Sequence, residues 1–454
     1  MTPNRRLNLF DATMIVMGGI IGVGVFLTPQ RICTYLGEPV WVLLAWAIGG
    51  LIAMTGAFVF AELGAAYPHS GGKYVYIRRA FGPFVAFVYA CVLLFVVSTG
   101  ALAVVADFFA GRLLEVMPSM DSEAGTARQI LALTVIVVLT GANLFGIKIG
   151  SRIQNVCMIL KLLAIVVVIG GGAIYAFGDA GRLTAVAANA EPIERAAPWQ
   201  GLIVAILPVL FSFGGWQNLS FISSEVDNPQ RNMPKAVVMG VIGVIVVYVS
   251  INWAYLQVLE VDAVATDPDF ATRVARTTLG DIGGQFVNVA LAISAFGICG
   301  VIVMATPHVY VAMARDGLFF RSFGKKHPKT QAPVLGLLLQ AAAALAYLFS
   351  GYGGLLIDSV AFAEWIFFSL AGFSLFVLRK KEPDLHRPYH AFGYPWIPGL
   401  FCLLAIGVVV GALTQASFET TRLGLGVLAG GAIAYLIWRA ATGTRAPEAI
   451  EPDA

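Results

Sequence analysis

The chain has 454 residues, 58% of them hydrophobic and only 12% charged, with a net charge of +3 and a mean hydropathy of +0.82. A soluble domain carries about 25% charged residues, so this supply cannot cover a water-facing surface. The small net charge, without a polybasic tail, gives no sign of nucleic-acid binding. Cys33, Cys91, Cys157, Cys299 and Cys402 lie in or beside apolar runs, with no Cys-x-x-Cys pair or Cys/His cluster, so neither a disulfide scaffold nor a zinc site is supported.

Apolar runs of about 18 residues or more are long enough to cross a bilayer as helices. Twelve are predicted. Span one (12–35) follows Arg5 and Arg6, lacks a cleavage site, and holds Gly18-Gly19-Ile20-Ile21-Gly22-Val23-Gly24-Val25-Phe26. Span two covers 40–66. Span three (84–110) has no ionisable residue from Val85 to Ala106 except the weakly acidic Tyr89 and Cys91. Span four covers 129–147. Span five (154–177) contains Lys161, a charge that must snorkel to the interface or find partners inside. Span six (200–223) holds Phe211-Ser212-Phe213-Gly214-Gly215-Trp216. Spans seven to twelve cover 236–259, 284–314, 333–350, 354–378 (with Glu364), 396–414 and 421–439.

An even number of spans puts both termini on one side. Of the 29 Lys and Arg residues, twenty fall on that side and eight on the other, with Lys161 inside a span. Positive charge marks the cytoplasm, so both termini are expected there, in a multi-pass protein of the plasma or inner membrane.

Glycines interrupt spans one and six at matching places, first in spans one to five and first in spans six to ten. A broken helix survives in a membrane only inside protein or beside a water-filled cavity. Interrupted segments at corresponding positions of two halves mark the binding site of an inverted-repeat transporter. Taken singly, each cluster also fits close helix packing. The chemistry of a break suits a zwitterion. Free N–H groups near Gly22 to Val25 favour a carboxylate, while free carbonyls near Ile20 and Phe211 accept from an ammonium. A side chain at these glycines would hold a ligand away from the main chain.

These residues, with Phe-Ala-Glu-Leu-Gly at 60–64, Ser70-Gly-Gly-Lys-Tyr74, Phe211 to Pro234, Ala314-Arg-Asp-Gly317 and Leu378-Arg-Lys-Lys-Glu-Pro-Asp384, carry a resemblance along nearly the whole chain. The sequence resembles amino acid permeases of the amino acid–polyamine–organocation superfamily, and within it the L-type (LAT-like) transporters. The resemblance implies an all-α integral membrane protein of about 12 transmembrane helices forming one transporter domain over 1–454. It implies a LeuT-like core of two inverted five-helix repeats (12–177 and 200–378) with unwound helices 1 and 6, plus two C-terminal helices (396–439).

It also implies substrate-binding roles for Ile20, Gly22, Val23, Gly24, Phe211, Ser212, Phe213, Gly214 and Gly215, with Phe211 covering substrate unless it faces lipid or core. Span three is expected to present Val96, Val97, Ser98 and Ala101, and span eight Ile298, Cys299, Gly300 and Val301. In relatives the lysine matching Lys161 points inward and occupies a sodium position. Its ammonium is therefore expected against carbonyls near Gly18 or Gly19 and the Ser294 hydroxyl, making transport sodium-independent. Gln217 either contacts substrate or pins the broken helix. Glu364 is a pocket residue, a gate, or a buried charge with a structural partner. Glu62 and Glu225 are expected to pair with cytoplasmic arginines. His308 stands where LAT-like relatives commonly have Arg, which weakens any ion pair there or leaves a tolerated surface substitution.

The expected function is a sodium-independent secondary transporter of neutral L-amino acids, working by exchange, facilitated diffusion or proton coupling. The pocket segments lack an obvious carboxylate for a cationic side chain, which would be costly to bury unpaired. The alternatives are a membrane sensor that binds an amino acid without flux, and a transporter of cationic amino acids or polyamines. No enzyme motif, cofactor site or metal cluster is apparent. No equivalent of the cysteine that joins animal members to an accessory glycoprotein is seen, so a chain that works alone is expected.

Overall fold

The computed structural model describes residues 7–117, 124–178, 193–350, 353–415 and 418–442. Arg5, Arg6, Arg182 and Arg445 of the charge count lie outside these residues, as do 118–123 and 351–352 within the two expected repeats.

α1 (Leu9–Ile20) begins at Asn8, whose side chain accepts from Asp11 N at 2.9 Å while Asp11 accepts from Asn8 N at 3.1 Å. This reciprocal cap satisfies two N–H groups that a helix start leaves open. Residues 21–23 leave the helix, and α2 (Gly24–Tyr35) resumes with a 41° bend. α3 (Pro39–Ala66) and the short α4 (Lys73–Phe81) follow. α5 (Pro83–Val92) and α6 (Thr99–Leu114) form one long rod joined by a π-helical stretch, Leu93–Ser98. There the Thr99 hydroxyl donates to Leu94 O, five residues back, at 2.5 Å.

α7 (Ala124–Leu144) and α8 (Ile147–Phe177) precede the second interrupted helix. α9 (Pro198–Ser212) stops there, residues 213–217 form turns, and a single helical turn, α10 (Asn218–Phe221), continues. α11 (Pro229–Val258) leads to two short helices, α12 (Val261–Thr266) and α13 (Phe270–Leu279). α14 (Asp281–Ala305) runs into α15 (Pro307–Arg315) across Thr306, where Pro307 has no N–H to continue the ladder. α16 (Val334–Ser350), α17 (Gly353–Lys381), α18 (Trp396–Gln415) and α19 (Phe418–Thr442) complete the chain.

Helix is thus present along every run read as a span. Seven helices, or helix pairs in line, are long and apolar enough to cross a membrane, and the bent α1–α2 pair makes an eighth. Pro198–Ser212, Val334–Ser350 and Trp396–Gly411 are shorter apolar helices. Among the described residues the chain forms no strand beyond one isolated parallel bridge, Leu7 to Val226. The outward face of α8 shows how lipid replaces water as the external solvent. Val156, Ile159, Leu163, Val166, Ile174 and Phe177 are all exposed there, while Gln154 and Lys161, two turns apart on the opposite face, are buried.

The main core lies between α1, α3, α9 and α11. Trp46, Phe213 and Tyr248 pack there as an aromatic trio, with Trp46–Tyr248 centroids 5.1 Å and Phe213–Tyr248 centroids 4.9 Å apart. A second apolar cluster, which includes Leu102, Ala106, Ile136, Leu139 and Cys299, fills the space between α6, α7 and α14.

Candidate functional site

The two breaks touch, main chain to main chain. A Cβ on Gly215 would lie 2.1 Å from Gly19 O, and one on Gly19 would lie 3.0 Å from Gly215 O. Gly215 also holds φ at +125°, a region that side chains rarely enter. Gly215 therefore needs glycine for conformation and clearance, and a side chain at Gly19 would press on the Gly215 carbonyl. The start of α2 leans on the end of α9 in the same way. A Cβ on Gly24 would meet Ser212 Oγ at 2.8 Å, and that hydroxyl shares a 2.6 Å hydrogen bond with Thr28.

Each broken helix ends in carbonyls without intrahelical donors. The Tyr248 hydroxyl, from α11, lies 2.8 Å from Ile20 O and 3.0 Å from Ser212 O, so one phenol bridges the ends of α1 and α9. Lys161, fully buried, donates to Ile21 O. The sequence-based expectation of carbonyls near Gly18 or Gly19 is thus moved to the break itself. The reason is visible in the packing. Gly19 O faces Gly215, and Gln154 Nε2 lies 1.7 Å from where a Gly18 Cβ would be, so α8 meets the first glycine with Gln154 instead. The Ser294 hydroxyl is buried and has no hydrogen-bond partner among the described residues.

The other predicted residues divide between the break and its surroundings. Ile20, Gly22, Val23, Gly24, Ser212, Gly214 and Gly215 line or flank the crossing. Phe211 stays 47% exposed, whereas Phe213 is fully buried in the aromatic trio. Val96, Val97 and Ser98 lie in the π-helical stretch and Ala101 just beyond it, with Ser98 Oγ 3.1 Å from Thr306 Oγ1 at the α14–α15 junction. π-stretches recur at functional sites because they re-aim side chains within a helix. Cys299 belongs elsewhere. It is buried in the second cluster, and its predecessor Ile298 faces the break, its Cδ1 2.3 Å from a Cβ placed on Gly22. Successive helical residues point about 100° apart, so Ile298 and Cys299 meet different neighbours.

Gln217 pins the second break. Its Oε1 accepts from Gly215 N at 2.9 Å, and its Nε2 donates to Glu364 Oε1 at 3.1 Å. The same Oε1 pairs with Lys73 of α4. Lys73, counted by sequence among the loop charges, is fully buried, with its Nζ 4.0 Å above the Phe368 ring.

A layer of ion pairs closes the end of the molecule where α3, α4 and α17 meet. Glu62 accepts from Arg379 at 2.8 and 2.6 Å and from Ala391 N at 2.6 Å. Glu225 pairs with Lys326 at 2.8 Å, a lysine where an arginine was expected. Asp316 pairs with Arg78 at 2.7 Å and accepts from Tyr74 at 2.9 Å. Burial pushes the Asp316 carboxyl up from its ordinary value, while Arg78 and Tyr74 pull it back. His308 is buried near Lys326 and Glu225, not a surface residue. Asp107 is tied to Arg128 at 2.7 and 2.6 Å, away from the breaks. The cleft lined by Leu114, Glu115, Asp267, Arg273 and Arg276 contains none of the predicted site residues.

At the crossing, two half-helix ends carry carbonyls that retain a second lone pair, and the start of α2 carries amides without intrahelical acceptors. Groups of these two kinds can pair with the ammonium and the carboxylate of a small zwitterion. The amino acid permease family model matches residues 7–430. The chain is similar to the serine/threonine exchanger SteT of Bacillus subtilis (strain 168), with 29% identity over 94% of each chain. It is similar to the human (Homo sapiens) cystine/glutamate transporter at 28% identity, over 96% of this chain and 86% of the relative. It is also 27% identical to the b(0,+)-type amino acid transporter 1 of Mus musculus, over 85% of this chain and 78% of that one. These relatives are transporters, and the apolar helices are those of a multi-pass membrane protein; the chain belongs to the amino acid permease family.

Proposed function

We propose that the protein moves neutral L-amino acids across the membrane by alternating access, without sodium. The observation that carries this reading is the contact of the two glycine breaks at Gly19 and Gly215. It supports a substrate held by main-chain groups of both halves, its carboxylate at the start of α2 and its ammonium at the carbonyl ends of α1 and α9. In this reading twelve helices cross the bilayer, residues 12–177 and 200–378 form inverted repeats, residues 396–439 add two helices, and both termini are cytoplasmic. Phe211, half-exposed beside the break, closes over the substrate. Lys161 supplies a fixed positive charge at Ile21 O, which removes the need for a sodium ion. The chain works without an accessory subunit.

The test is counterflow. Purified protein in liposomes preloaded with alanine, serine or leucine is assayed for uptake of the same labelled amino acid in sodium-free and sodium-containing buffer. Equal, saturable uptake in both supports the reading. Binding without flux would identify a sensor, and uptake that saturates with sodium would overturn the role given to Lys161.

A further inference from the structure

Glu364 is a carboxylate in the apolar interior, one side chain removed from the break. Its Oε1 takes two donors, the Lys73 ammonium and the Gln217 amide, and Gln217 in turn accepts from Gly215 N. Its Oε2 is buried and has no partner among the described residues. The pair is asymmetric. The Lys73 side chain is sealed completely, whereas Glu364 keeps 12% exposure. Behind it the ammonium sits over two aromatic faces, Phe368 at 4.0 Å and Tyr89 at 5.4 Å. A carboxylate, a free oxygen on it and aromatic faces are what a buried ammonium needs. Here the chain fills that place with its own lysine.

We propose that Lys73 is a specificity-determining residue: its tethered ammonium neutralises Glu364, and so excludes substrates whose side chain carries a positive charge. The inference rests on the amino acid transport reading and adds the reason for neutral selectivity. With Lys73 in place, the region beyond Gln217 has no net charge to offer a cationic side chain, and a second cation there meets repulsion. Without the Lys73 charge, Glu364 is left buried and uncompensated, and a cationic amino acid brings the missing counter-charge. The position of Lys73 matters as much as its sign. It enters from α4, outside the two broken helices, so the charge does not block the crossing itself.

The experiment compares wild type, Lys73→Met, Lys73→Gln and the double variant Lys73→Met/Glu364→Gln in liposome counterflow, with leucine, alanine, lysine and arginine as labelled substrates. Met keeps the apolar stem over Phe368 and vacates the ammonium position. Gln still donates to the carboxylate without neutralising it. The expected result, at a pH high enough to keep Glu364 ionised, is a rise of at least about tenfold in lysine or arginine counterflow for either single variant, abolished in the double variant, because removing one partner leaves the other charge buried and uncompensated. Single variants that carry leucine but gain no cationic substrate overturn the proposal, as does a gain that survives Glu364→Gln. Failure of both single variants to accumulate as folded protein would make the pair a folding lock and would also overturn it. A wild type that moves no amino acid at all would instead defeat the transport reading.

Discussion

Replacing Gly215 by alanine tests the crossing on which the functional reading stands. The new Cβ would lie 2.1 Å from Gly19 O and 2.4 Å from Gly19 C. Non-bonded carbons prefer separations of about 3.5–4.0 Å, so α1 and α9 must part by more than about 1 Å. The backbone at φ +125° adds strain of about 1–3 kcal/mol for any side chain. Gly280, between α13 and α14, separates the two effects. It holds φ at +73°, but a Cβ there would meet nothing within 4 Å. A displacement of about 1 Å in a preorganised site costs on the order of a hundredfold in rate. Gly215→Ala should therefore lower counterflow about a hundredfold, whereas Gly280→Ala should change flux per folded protein by less than about threefold. Both variants should lose stability through strain, read as the melting temperature of purified protein. Equal flux losses in the two variants, or wild-type flux from a monodisperse Gly215→Ala protein, would refute the argument.

Tyr248→Phe removes the donor shared by Ile20 O and Ser212 O; leaving buried acceptors unpaired costs about 1–3 kcal/mol, so both the melting temperature and the counterflow should fall. An unchanged melting temperature would mean that the two carbonyls find other donors. Arg379→Ala leaves Glu62, 1% exposed, as a buried charge without its main partner, at a cost of about 3–5 kcal/mol. Arg128→Ala breaks a pair whose side chains are 48% and 40% exposed, worth about 1 kcal/mol or less. Chemical or thermal unfolding of the two variants side by side checks the ranking, and a larger effect at Arg128 would reverse it. Lys161→Met should abolish sodium-free counterflow, since Ile21 O loses its charged donor; retention of flux in that variant would remove Lys161 from the mechanism.

The breaks were legible because two glycine clusters interrupt long apolar runs at matching places, where one alone would also fit helix packing, and the helical runs because lipid demands uninterrupted apolar length. What escaped the sequence was set by distant partners. Leu93–Ser98 has the same composition as its flanks, so nothing local marks the π-helical stretch. Tyr248 is one tyrosine on an apolar helix, and its task exists only where α1 and α9 end beside α11. Gln217 left two roles open; the hydrogen bond to Gly215 N favours pinning, and the bond to Glu364 was invisible because it joins residues 147 apart in the chain. Lys73 looked like a cytoplasmic charge because it follows two glycines after a span, yet α4 folds back and carries it inward. On α14 the sequence named Ile298 and Cys299 together, and only the packing shows that Ile298 lies against Gly22 while Cys299 joins the second apolar cluster.

The bridge between Leu7 and Val226 has a mechanical consequence. Leu7 N donates to Glu225 O at 3.0 Å, and Asp227 N donates to Leu7 O at 2.8 Å. These two bonds sew the segment leading into the first interrupted helix to the segment that follows the second. Any splaying of the molecule at this end must unzip them first. The seam is built from peptide groups, so its two hydrogen bonds need no particular side chain, and they yield to a force that separates the two segments.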